Sequence, residues 1–114
     1  TECLALEIEM TGKPISVSAV LPGPVATRIF TDAPVGDNPG TVEHHRAVMN
    51  AMLKDHGITG AEAGKRILDG VAAGQFWVST HPDMTAEAAA GRAEYLKTGA
   101  RPRLTEAARA ILGH

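Results

Sequence analysis

The chain has 114 residues and a net charge of -2, with 11 Lys and Arg against 13 Asp and Glu, so no general positive field attracts nucleic acid or an anionic membrane. Apolar residues make up 44%, and no run approaches the about 20 apolar positions of a spanning helix. The single cysteine, Cys3, excludes an intrachain disulfide and favours a reducing compartment. We expect one water-soluble, cytoplasmic unit that binds neither nucleic acid nor membrane.

The first predicted element is a helix over residues 1–11. Its apolar residues cover most of the helix surface and indicate burial on more than one side; they are Cys3, Leu4, Leu6, Ile8 and Met10. Gly12 and Pro14 are placed to end it. The chain begins inside this pattern without an initiator Met or a signal peptide, so we expect it to be the later part of a longer polypeptide.

Residues 15–21 (ISVSAVL) predict a strand. Small or apolar residues on both faces are typical of a central strand in a parallel sheet that is covered on both sides. The strand ends at Pro22-Gly23-Pro24, where a glycine lets the backbone come close to a ligand over the carboxyl end of the sheet.

Residues 31–40 have the composition of a loop, which we interpret as part of a lid over the site. Residues 41–56 then predict an amphipathic helix. Thr59 and Glu62 have the spacing of a capping box and predict a second helix that runs to Gly74. Residues 75–80 favour a strand, and residues 83–97 and 103–112 favour helices separated by the breaker run 98–102.

A strand, a helical crossover and a second strand predict a right-handed βαβ unit with parallel strands. Two strands make a poor sheet, and so apolar a strand is expected to have further neighbours, which should precede Thr1.

Three motifs in this order and spacing resemble the second half of the short-chain dehydrogenases/reductases. They are Thr1-Glu2-x-Leu4-Ala5-x-Glu7, Ile15-x-Val17 and Pro22-Gly23-Pro24-Val25-x-Thr27, and the resemblance covers about residues 1–81. It implies the C-terminal portion of a Rossmann-like doubly wound α/β sheet, two strands with lid and crossover helices, incomplete alone. It also implies an NAD(P)-dependent oxidoreductase that transfers hydride between a nicotinamide and an alcohol or carbonyl substrate.

The resemblance also implies the roles of individual residues. Pro22 and Gly23 would lie against the nicotinamide ring and ribose of NAD or NADP, the Val25 amide would bind the carboxamide, and the Thr27 hydroxyl the carboxamide or a phosphate. The alternative is that residues 22–27 form only a strand-to-helix turn, with Thr27 near a helix N-cap.

Residues 27–58 would be the substrate lid, with Phe30, Met49 and Met52 lining an apolar pocket; methionines at this spacing also fill ordinary cores. Residues 59–80 would pack between subunits of a homodimer or homotetramer. Residues 82–114 would form a helical C-terminal extension of the same single unit.

The catalytic Ser, Tyr and Lys of that family have no counterpart in this chain. The one tyrosine, Tyr95, precedes Lys97 in a Tyr-x-Lys spacing rather than Tyr-x-x-x-Lys, and we expect it to be a half-buried helix residue. The Gly57-Ile58-Thr59-Gly60 run does not follow a strand as a phosphate-binding turn requires. This chain alone should therefore be inactive, and activity should belong to the longer polypeptide.

Other sites are not indicated. His44 and His45 are adjacent, and His56 is about 16 Å further along the helix axis, so no zinc site is predicted. No Gly-x-Ser-x-Gly elbow is present. The alternative to an oxidoreductase is a non-catalytic oligomerisation or interaction module derived from the same fold.

Overall fold

A computed structural model describes residues 1–34, 39–106 and 109 of the chain. Its elements are α1 (Glu2–Met10), β1 (Ala19–Leu21), α2 (Ile29–Asp32), α3 (Pro39–His56), α4 (Gly60–Ala72), β2 (Trp77–Ser79) and α5 (Pro82–Thr98). The two strands pair in parallel, with Ala19 opposite Trp77 and Leu21 opposite Ser79. The chain is therefore a mixed α/β structure with a small parallel sheet, which confirms the predicted order of strand, helices and parallel strand.

Helix α1 ends where the sequence predicts. Gly12 has a φ of 65°, which glycine adopts without strain, and its N–H donates to the Glu9 carbonyl at 3.0 Å. The prediction that α1 is buried on more than one side is wrong within the described chain. The helix has no buried residue, and Leu4 and Leu6 are 50% and 62% exposed, because no described element covers its apolar faces.

Both strands are shorter than predicted, with three residues each in place of 15–21 and 75–80. Strand structure requires a partner, and β2 offers β1 only three residues, so residues 15–18 approach the sheet without joining it. The Ser18 hydroxyl, for example, donates to the Gln75 carbonyl at 2.8 Å. In the described chain β1 has β2 as its single neighbour, so it lies at an edge of this sheet and not at its centre.

Between β1 and α3 the structure contains a short helix, α2, that the sequence pattern did not predict. Arg28 and Asp32 form an ion pair across it at 2.9 Å, and Arg46 of α3 donates to the Ala33 carbonyl at 2.6 Å. Helix α3 begins at Pro39, two residues before the predicted start, and ends at His56 as predicted. Residues 35–38 of the predicted loop lie outside the described residues.

Helix α4 begins as the sequence predicts. Thr59 is its N-cap, and its hydroxyl accepts a hydrogen bond from the Glu62 N–H at 3.1 Å. The reciprocal half of a capping box does not form, because the Glu62 carboxylate accepts from Arg66 Nε at 2.8 Å instead. On its buried side α4 presents Gly70 to Val78 of β2, and the close approach depends on the missing side chain.

Helix α5 has Pro82 in its first turn and ends at Gly99, in agreement with the predicted helix over 83–97 and breaker at 98–102. Of the second C-terminal helix, predicted over 103–112, Glu106 and Arg109 are helical and residues 103–105 are not. Residues 107, 108 and 110–112 of that prediction, like residues 113 and 114 of the predicted extension, lie outside the described part.

The buried core is small. Among the described residues it consists of Leu53, Ala63, Gly70, Val78 and the polar Thr80. The radius of gyration is 17.8 Å, compared with about 13 Å for a compact domain of this length. Large apolar side chains such as Trp77, 54% exposed, remain on the surface. None of the described helices is both long and apolar enough to cross a membrane.

Candidate functional site

The candidate site begins at the loop formed by residues 22–27, which directly follows β1. The loop therefore lies at the carboxyl end of two parallel strands. In open α/β sheets this end of the strands is where ligands bind, because the backbone leaves the sheet there and opens a crevice.

One side of the loop is attached to the end of α3 through Ile58. Val25 and Ile58 form an isolated parallel bridge, in which Ala26 N–H donates to the Ile58 carbonyl at 2.8 Å and Ile58 N–H donates to the Pro24 carbonyl at 3.1 Å. In such a bridge the neighbours of the central residue make the bonds, so the N–H and C=O of Val25 point away from Ile58. No group in the described residues bonds to either of them.

Val25 lines a cleft of about 350 Å³. The structure brings the four predicted cofactor residues together there with two of the three predicted lid residues, Phe30 and Met52. Met49 lies instead in a separate cavity of about 220 Å³, which Phe30 also borders. The cleft is lined by Pro22, Gly23, Pro24, Val25, Thr27, Ile29, Phe30, Met52 and Leu53.

The Thr27 side chain is exposed at the edge of this cleft. The N-cap of α2 is Arg28, so Thr27 lies next to a helix N-cap, as the alternative of a strand-to-helix turn expects. Within the described chain its hydroxyl has no hydrogen-bond partner. The hydroxyl is therefore available to a ligand.

The other side of the loop is attached to Thr80, which follows β2 and has 0% exposure. Its hydroxyl accepts a hydrogen bond from the Gly23 N–H at 2.9 Å. Its N–H donates to the Leu21 carbonyl at 3.3 Å, and its carbonyl accepts from Arg66 Nη1 at 2.7 Å. Thr80 thus joins both strands, α4 and the loop, and our sequence interpretation gave it no role in the site.

His81 packs directly on Gly23. A Cβ atom added to Gly23 would collide with the imidazole ring, lying 2.7 Å from Cγ and closer still to Nδ1. The same Nδ1 is 2.9 Å from the Thr80 hydroxyl, whereas the buried Nε2 has no partner in the part of the chain that the structure describes. His81 directly follows the predicted strand over residues 75–80, and in the structure it is the N-cap residue of α5.

The cleft itself offers no general acid or base, because none of its lining side chains is ionisable. Tyr95 is half-buried, as predicted, and lines a different cavity against α5 with Met84 and Arg92. The pKa of Lys65 is raised by its hydrogen bond to Asp69 and by the charge of that carboxylate. This pair lies on the exposed surface of α4, away from the cleft.

Metal-binding side chains do not gather in the described residues: no group of three or more His, Cys, Asp or Glu is placed to hold an ion. The rings of His44 and His45 are 6.1 Å apart, centroid to centroid. Cys3 is exposed on α1.

The fold and the cleft together define a mixed α/β chain with a small parallel sheet and a mostly apolar cleft at the carboxyl end of its strands. Comparison with protein-family models, with curated proteins and with solved structures returned no match. The assignment of a function therefore depends on the chemistry of the cleft itself.

Proposed function

We propose that this chain provides the nicotinamide-binding side of an NAD(P)-dependent oxidoreductase that resembles the short-chain dehydrogenases/reductases. The reaction would transfer hydride between the nicotinamide and an alcohol or carbonyl substrate. The Rossmann-like sheet that the resemblance implies is part of this proposal. The observation that carries it is that Val25, whose N–H and C=O have no partner in the described residues, lines the cleft.

The fit to a nicotinamide follows from its carboxamide, which has an NH₂ donor and a carbonyl acceptor. Val25 presents one C=O acceptor and one N–H donor at the same place, and the Thr27 hydroxyl adds a third polar group at the edge of the cleft. A ring held by both ends of its carboxamide presents a single face for hydride transfer.

The rest of the cleft supports the same interpretation. Its volume of about 350 Å³ lies at the lower end of the about 300–1,000 Å³ typical of small-molecule sites. Two apolar residues of the proposed lid, Phe30 and Met52, line the cleft together with the loop. They would exclude water from the reacting ring and substrate.

The acid, the base and the phosphate cradle must come from elsewhere, because the 114 residues contain no Tyr-x-x-x-Lys pair and no glycine-rich turn after a strand. The proposal therefore assigns them to further polypeptide that completes the sheet. The exposed apolar faces of α1 and β1 are consistent with such an addition.

Titration calorimetry of the full-length protein with NAD⁺, NADH, NADP⁺ and NADPH tests the proposal. We expect one of these to bind, and we expect Thr27→Val to weaken its binding by about 0.5–1.5 kcal/mol, which is the contribution of one hydrogen bond. Thr27→Ser should retain the affinity.

The matched control is Thr31→Val, which removes another exposed threonine hydroxyl four residues along the chain and outside the cleft. It should leave the affinity unchanged. Absence of binding by all four dinucleotides would contradict the proposed function, and equal affinities of wild type and Thr27→Val would remove Thr27 from the site.

A second candidate is a non-catalytic interaction module that binds no nucleotide. The exposed apolar side chains of Trp77, Leu68 and Val71 on β2 and α4 favour it. In either case we propose that this face packs between copies of the chain in a homo-oligomer. Sedimentation analysis that finds self-association, together with no dinucleotide binding, would select the second candidate.

A further inference from the structure

Gly23 is the residue with the most backbone freedom at the start of the loop. Pro22 and Pro24 on either side have their φ angles fixed by their rings, whereas glycine has the widest choice of backbone conformations. The direction of the chain beyond Pro24, and hence of the Val25 peptide groups, therefore depends on how Gly23 is held.

The Thr80 hydroxyl is what holds Gly23. It accepts the hydrogen bond from the Gly23 N–H at 2.9 Å, between residues 57 positions apart in the sequence. Thr80 is itself fixed through its backbone by Leu21 and by Arg66. The loop thus has two anchors, Thr80 at its start and Ile58 across its middle.

Position 80 could be occupied by a residue without a hydroxyl. Valine has the shape of threonine, favours extended structure equally well, and avoids the burial of a polar oxygen. At a site with 0% exposure the hydroxyl therefore stabilises the fold only through the groups that it contacts, which are the Gly23 N–H and His81 Nδ1.

We propose that Thr80 is a positioning residue of the cleft: its hydroxyl fixes Gly23 and so directs the Val25 peptide groups toward the ligand. The role of Thr80 in orienting a nicotinamide rests on the proposed function. Its role in anchoring the loop does not.

The test compares Thr80→Val and Thr80→Ser in the full-length protein, with calorimetric titration of NAD⁺ or NADP⁺ and of the same nucleotide without its nicotinamide, ADP-ribose or its 2′-phosphate. We expect Thr80→Val to weaken binding of the nicotinamide dinucleotide by about 2- to 13-fold, the equivalent of one hydrogen bond. The nicotinamide-free nucleotide should bind to Thr80→Val with wild-type affinity. Thr80→Ser should bind both ligands with wild-type affinity.

The matched control is Thr85→Val. It removes the hydroxyl that lies 2.6 Å from Ser79 Oγ at the same end of the sheet but does not contact the loop. Both ligands should bind it normally. A loss shared equally by the two ligands in Thr80→Val would indicate a general structural role and overturn the proposal, as would unchanged affinity for the dinucleotide.

Amide hydrogen exchange separates this inference from the proposed function. The Gly23 amide should be protected in the wild type and in Thr80→Ser, and should exchange faster in Thr80→Val. If no dinucleotide binds, the proposed function fails while this result still supports the anchored loop. A Gly23 amide that is unprotected in the wild type overturns the inference without any variant that must fold.

Discussion

Replacement of Gly23 by alanine tests how closely the loop packs against the residue after β2. The added Cβ would lie 2.7 Å from His81 Cγ and 3.0 Å from His81 Cβ, and closer still to Nδ1. Gly23 is not among the described glycines with positive φ, so backbone strain contributes little. The collision with the imidazole ring decides the effect.

The expected magnitude follows from two terms. Overpacking at a close contact destabilises by about 1–3 kcal/mol. Displacement of the ring also breaks its hydrogen bond to the Thr80 hydroxyl, 2.9 Å from Nδ1, which contributes about 0.5–1.5 kcal/mol. We therefore expect Gly23→Ala to lower the free energy of unfolding by about 1.5–4.5 kcal/mol.

The assay is urea unfolding of the full-length protein, followed by circular dichroism, for Gly23→Ala, His81→Ala and the double variant. Without the imidazole ring the new methyl group has space, so in the His81→Ala background Gly23→Ala should destabilise by less than about 1 kcal/mol. An equal effect of Gly23→Ala in both backgrounds, or a single variant as stable as the wild type, would refute the packing argument.

Two further predictions concern the ends of the crossover. Gly70→Ala adds a methyl group 2.6 Å from a Val78 methyl. It should lower the free energy of unfolding despite the better helix propensity of alanine. Gly64→Ala on the same helix places its new methyl group with no atom within 4 Å, and it should raise the free energy of unfolding by about 0.5–1 kcal/mol. Thr59→Ala removes the cap that accepts the Glu62 N–H and should destabilise by about 1 kcal/mol, with Thr59→Ser close to wild type in the same denaturation assay.

Apart from the parallel pairing of β1 with β2, which follows from the order of strand, helices and strand, the features that the sequence predicts correctly are encoded by neighbouring residues. The Thr59 cap and the Gly12 helix end depend on side chains and dihedral angles within one helical turn. The position of the 22–27 loop depends only on the end of one strand. In each case the residues that determine the structure are close in sequence, so their spacing is sufficient.

The features that the sequence does not predict depend on distant partners. The length of β1 is set by β2, and the burial of α1 depends on what packs over it. Thr80 is the clearest example, since its partner Gly23 is 57 residues away. A threonine at the end of a β-favouring run is unremarkable by composition, and only the parallel pairing brings it under the loop.

The two anchors of the loop also link the geometry of the site to the folding of the crossover. Ile58 follows α3, and Thr80 follows β2, the strand that pairs with β1. The Val25 peptide groups therefore have this direction only when α3 is folded and the two strands are paired. A ligand that requires this direction binds only that folded state. Such a ligand stabilises the unit by mass action, so occupancy of the cleft and pairing of the two strands favour each other.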